Sequence, residues 1–111
     1  MSKNVILSNY QKHPEQKGVF MKHFFSSKDN DRLNNLEVRI EPGCEIKPHI
    51  HDNSSEFYYV VSGNGMFLID DQWEHIRAGE ALMAPKNIEH GFKNNTSEPL
   101  ILFSTFSPPI R

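Results

Sequence analysis

From Gly18 onward the chain alternates short apolar runs with clusters of turn-forming residues. The clearest run is residues 36–40, where Leu36, Val38 and Ile40 fall on one face and Glu37 and Arg39 on the other, the two-residue period of a strand. The same reading predicts strands at 19–25, 57–61, 66–69, 73–77, 81–84, 90–93 and 100–106, and a further extended run across His49 and His51. Between them stand S-S-K-D-N-D, E-P-G, S-G-N-G, D-D-Q, A-G-E and P-K-N, all turn chemistry. Turn signals spaced roughly 8–12 residues apart describe an antiparallel sandwich or barrel, and no long window carries a 3.6-residue apolar period. The chain is therefore expected to be all-β. Residues 1–17 are polar and loosely patterned and read as an N-terminal arm or edge element, with residues 18–111 as one barrel domain.

Parity assigns faces within these strands. If Glu56 points inward, so do Tyr58 and Val60, while Phe57 and Tyr59 face out. Met66 and Leu68 alternate with Phe67 and Ile69, so both faces of that strand are apolar and the outer one needs a cover. A second subunit is the simplest cover, and a homodimer is expected. Phe92, Phe103 and Phe106 are assigned to the interior, and Arg39 to the solvent side of its strand.

Chemistry enters at Gly43 to Gly63, G-C-E-I-K-P-H-I-H-D-N-S-S-E-F-Y-Y-V-V-S-G. His49 and His51 are two apart, so on a strand both imidazoles aim at one point. After the polar D-N-S-S link, Glu56 on a returning strand could bring a carboxylate there. Downstream, Pro85 ends a strand because it cannot donate to a ladder, and the chain turns and re-enters extended structure at His90. In a closed barrel that strand could pass beside His49 and His51 and complete a set of three imidazoles and one carboxylate. Such a donor set accepts Fe(II), Mn(II), Ni(II), Zn(II) or Cu(II). In an octahedral arrangement it leaves about two positions for water, substrate or dioxygen. Tyr58, two residues beyond Glu56 on the same face, is the phenol available as proton donor or substrate hydrogen-bonding group. His13, His23 and His75 lack ligand spacing and read as surface residues, and Cys44 as a small packed side chain.

Composition narrows the setting. At 111 residues with 37% hydrophobic and 23% charged side chains, the chain suits one globular domain. A net charge of −2 gives no footprint for nucleic acid. A single cysteine rules out an internal disulfide framework. The opening M-S-K-N-V-I-L-S-N-Y has no signal-peptide core, and no run approaches a membrane span, so a cytoplasmic protein without membrane partners is expected.

The two stretches together resemble the cupin motifs. Gly43, His49, His51, Glu56 and Gly63 stand at every fixed position of the first motif, and Gly79, Pro85, His90 and Asn94 at those of the second. Asn87 departs from the pattern, since the family usually has glycine there. Asn tolerates a left-handed backbone best among the other residues, so the turn is expected to survive. The resemblance implies a small single-domain jelly-roll barrel with His49, His51, Glu56 and His90 on one divalent transition metal ion (Fe, Mn, Ni or Zn), and it supports the homodimer. It also implies a metal-dependent enzyme acting on a small organic molecule, of dioxygenase, isomerase, decarboxylase or lyase type. The alternative is a non-catalytic module that binds an organic acid or sugar.

Overall fold

The computed structural model describes residues 10–111. They form ten strands: β1 Gln11–Lys12, β2 Val19–Phe25, β3 Asn34–Ile40, β4 Glu45–His49, β5 Ser55–Ser62, β6 Asn64–Ile69, β7 Gln72–Arg77, β8 Ala81–Ala84, β9 His90–Lys93 and β10 Leu100–Ser107. Among the described residues there is no helix long and apolar enough to cross a membrane. The strands make two antiparallel sheets, a six-stranded one ordered β1-β2-β3-β10-β5-β8 and a four-stranded one ordered β4-β9-β6-β7. This is the all-β antiparallel architecture that the pattern of short alternating runs predicts, in the jelly-roll form that the resemblance implies.

The alternation does what its period requires. On β3, Asn34, Leu36, Val38 and Ile40 are buried and the residues between them are not. On β10, Leu100, Leu102, Ser104 and Phe106 point inward in the same way. These faces meet Phe67 and Ile76 of the four-stranded sheet and Phe92 of β9 in one apolar core, each such side chain contributing about 1.5–3 kcal/mol. Tyr58 and Val60 are inside, and Phe57 and Tyr59 are outside at 43% and 48% exposure, as parity requires. Arg39 is on the outer face, where its Nε–H donates to Glu41 at 2.9 Å.

Two expectations change. Phe103 is not interior: it lies opposite Tyr59 on the outer face of the six-stranded sheet, 36% exposed, because β10 alternates and Leu102 takes the inward place. Leu68 is only 5% exposed within the single chain. It shares an outer face with Met66, Trp73 and Lys93, where the Lys93 ammonium stacks 4.5 Å from the Trp73 ring centroid. That part of the surface already has a local cover. The lead-in segment includes a short edge strand, since β1 pairs with β2 through Gln11–Met21 and Lys12–Phe20. The remainder of the expected arm, residues 1–9, lies outside the described residues.

Two turns hold the site's flanks in place. Gly63 has φ +88, and a Cβ there would lie 2.3 Å from the Pro99 carbonyl oxygen, so only glycine fits. Asn87 has φ +68, the left-handed conformation expected where the family usually has glycine. Its backbone N–H donates to the His51 carbonyl at 2.8 Å, which ties the turn after β8 to the histidine segment.

Candidate metal centre

His49 and His90 face each other as a register pair of β4 and β9 in the four-stranded sheet. Their ring centroids are 4.3 Å apart. His51 lies two residues past the end of β4, yet its ring turns to the same point, with Nε2 3.1 Å from His49 Nε2. Glu56 arrives from the opposite sheet, on β5, so the D-N-S-S link carries the chain across the barrel rather than around a hairpin. One ligand atom from each of the four residues lies within 4.8 Å of the others. The expected set of three imidazoles and one carboxylate is therefore assembled.

Hydrogen bonds behind the rings fix which nitrogen faces inward. His49 Nδ1–H donates to the Lys47 carbonyl at 2.8 Å and His90 Nδ1–H to the Ile88 carbonyl at 2.9 Å. Both Nε2 atoms consequently present lone pairs to the centre. His90 is 1% exposed, and its Nε2 has no hydrogen-bond partner among the described residues. The nearby Glu56 Oε1, at 3.4 Å, is itself an acceptor. An acceptor buried in this way costs about 1–3 kcal/mol unless something electropositive meets it. A cation at the point of convergence would meet this nitrogen, the His49 and His51 Nε2 atoms and the Glu56 oxygen together, so the residues present fit a divalent metal. Burial, above all, holds the His49 and His51 pKa values below the ordinary range, which keeps the imidazoles in the neutral form that ligates.

Glu56 is buried and has a support of its own. Tyr58 O–H donates to Oε1, and Ser104 O–H donates to Oε2. Tyr58 is buried with its hydroxyl inside the barrel. It is enclosed, its ring edge-on to Phe92 at 4.8 Å, and burial together with the Glu56 charge pushes its pKa well above the usual phenol value. Ser104 is a site residue that the strand assignments passed over. Its signal is in the sequence, since it is the one polar residue on the Leu100–Leu102–Phe106 face of β10.

The cluster opens on a cavity of about 250 Å³. Met21, Leu36, Val38, Ile46, Leu102 and Phe106 provide apolar walls, and Tyr58 contributes to the lining. His13, expected on the surface, also lines it, together with Glu15 and Gln16 of the same β1–β2 connection. His75 is exposed and His23 half-buried, and neither joins the cluster. Cys44 is a free, half-buried thiol packed against Gly18, as its small size allows.

With that geometry in hand, comparison with known proteins identifies the family. The sequence profile of the Cupin domain family matches residues 36–106, well over half of the chain. The chain belongs to the cupin family. It is 33% identical over 79 residues to pectin degradation protein KdgF of Dickeya dadantii, covering 71% of each protein. It is 44% identical over 50 residues to dimethylsulfoniopropionate lyase DddW of Ruegeria pomeroyi, covering 45% of this chain and 32% of that one. Among solved structures, KdgF from a Halomonas species superposes with a TM-score of 0.83 at 22% identity, over 97% of this cupin and 94% of that chain, a likeness of fold. This cupin spans about half the length of the first curated relatives it matches.

Proposed function

We propose that this cupin is a metal-dependent enzyme acting on a small organic molecule, with one divalent transition metal ion (Fe, Mn, Ni or Zn) held by His49, His51, Glu56 and His90. The observation that carries this reading is a four-ligand cluster, with a buried lone pair on His90, opening directly on a largely apolar cavity. A purely structural ion would need no such opening. When bound there, the ion supplies a Lewis acid with coordination positions free for oxygen donors.

The chain's own residues do the rest. The apolar walls exclude water and hold the body of a small substrate, and Phe106, 5.0 Å from His51 between ring centroids, narrows the space beside that ligand. Ser104 and Tyr58 fix the rotamer of Glu56. Tyr58 holds its proton on the Glu56 oxygen that faces the histidines, where a role as proton donor to substrate could draw on it. A reaction of lyase, isomerase, decarboxylase or dioxygenase type is in keeping with relatives named as a lyase and for pectin degradation.

We also propose that the protein works as a homodimer, joined through the outer face of the six-stranded sheet. There Phe57 lies opposite Met83 and Tyr59 opposite Phe103, four exposed apolar side chains in one patch.

Incubating a pool of small organic acids with protein loaded with each metal, followed by mass spectrometry, tests the enzymatic reading. Depletion of a compound that His51→Ala abolishes is expected. Binding without depletion would favour a ligand-binding module, and neither binding nor depletion would refute both. Unchanged turnover in Tyr58→Phe would remove the proton-donor role.

A further inference from the structure

Besides the ligand cluster and its apolar walls, the cavity is lined by three polar residues of the β1–β2 connection, His13, Glu15 and Gln16, and by Arg111. Arg111 follows β10 on a segment tied down by its backbone. Ser54 O–H donates to the Pro108 carbonyl at 2.6 Å, Ile110 N–H to Asn34 Oδ1 at 2.8 Å and Ser27 N–H to the Arg111 carbonyl at 2.6 Å. Ser54 is itself in the link between His51 and Glu56, so this segment is anchored to the ligand-bearing part of the barrel. The backbone thus delivers the side chain to the cavity without using the guanidinium.

What the guanidinium meets there is uncharged. Its Nη1 lies 3.8 Å from the Met21 sulfur, and no carboxylate pairs with it among the described residues. His13 contributes a second donor. Its Nδ1 accepts the backbone N–H groups of Glu15 and Gln16, each at 3.1 Å, which places the ring proton on Nε2. Burial first, and the Arg111 charge next, hold the His13 pKa below the ordinary range. Glu15 is the opposing charge, the one lining carboxylate outside the cluster.

We infer that Arg111, with His13 beside it, recognises the anionic group of a small organic acid whose other oxygen donors sit at the four-ligand site. The inference rests on the metal-dependent reading above and names its substrate class. A guanidinium presents paired N–H donors that match a carboxylate, and at the edge of an apolar cavity it gains more from such a partner than it would in open water. Two-point binding, an oxygen donor at the cluster and a carboxylate at Arg111, would select a short, bifunctional acid over a neutral molecule of the same size. Glu15 weakens the anion's hold, so its removal should strengthen binding.

Glutarate, which has two carboxylates, and butyrate, which has one, are suitable probes. Titrated into cobalt(II)-substituted protein and followed through the cobalt absorption, glutarate should bind about tenfold or more weakly to Arg111→Gln than to the parent. Butyrate should change less than about twofold, since it lacks the second charge. Cobalt content and melting temperature should be unchanged, Arg111→Lys should recover part of the affinity, and Glu15→Gln should tighten glutarate. Equal glutarate affinity in parent and Arg111→Gln, with cobalt retained, would overturn the inference. So would equal weakening of both probes, or a loss of cobalt or melting temperature that accounts for the effect. If no cobalt is taken up, the metal-dependent reading fails by itself. Calorimetry of glutarate with the metal-free parent and Arg111→Gln then decides the Arg111 assignment separately, equal affinities contradicting it.

Discussion

Each oxygen of Glu56 accepts a hydrogen bond from a different strand, Oε1 from Tyr58 on β5 and Oε2 from Ser104 on β10. A carboxylate held at both oxygens has little freedom to swing away from a cation, so these two hydroxyls would act through Glu56 on an ion held at the site. Ser104→Ala and Tyr58→Phe should each weaken metal affinity, by about 10–100-fold, in a chelator competition. Values equal to the parent would show that Glu56 is oriented by something else. Asn87 gives a backbone counterpart. At φ +68 an alanine would strain the turn by about 1–2 kcal/mol where Asn87→Gly would not, a difference visible in urea melts of the two variants. The signal for Asn87 was legible because a left-handed turn has few chemical solutions. Arg111 and His13 were not, because nothing local in the sequence says where a segment beyond the last strand, or the bend between β1 and β2, comes to rest.

At the level of strands, the site depends on how closely β4 and β9 approach. A Cβ on Gly91 would lie 2.8 Å from the Ile46 carbonyl oxygen and 3.1 Å from the Pro48 nitrogen, both backbone atoms of the neighbouring strand. Gly91→Ala should therefore push β4 from β9, part His49 from His90 and lower metal affinity more than it lowers the melting temperature. An alanine variant that binds metal like the parent would mean that the pair is less tightly placed than its register implies. Individual strands were readable because period two is a local property, as β3 and β10 show in their alternation. Their allotment to two sheets was not, since D-N-S-S looks like a hairpin link but joins β4 in one sheet to β5 in the other. The inward assignment of Phe103 failed for a related reason. Its neighbour Leu102 is as apolar, and hydrophobicity alone does not say which of the two faces in.

For the molecule as a whole, four histidines are held below the ordinary range, His13, His23, His49 and His51, with burial the largest cause in each. A depressed folded pKa means that the unfolded chain takes up these protons first. The stability involved is present above about pH 6.5 and is lost as pH falls through that value toward the folded pKa values. The melting temperature of the metal-free protein should drop on acidification below about pH 6.5, and a rise there would contradict the assignment of neutral, buried imidazoles. Light scattering at micromolar concentration should report twice the chain mass for the parent and one chain mass for Tyr59→Lys; a monomeric parent would dispose of the sheet-face interface. Everything proposed for the cavity depends on whether the four side chains hold an ion. Elemental analysis of protein purified without chelator tests that most directly. One transition metal ion per chain in the parent, falling sharply in His51→Ala, is the predicted result. Far less than one in the parent, or full occupancy in the variant, would contradict it.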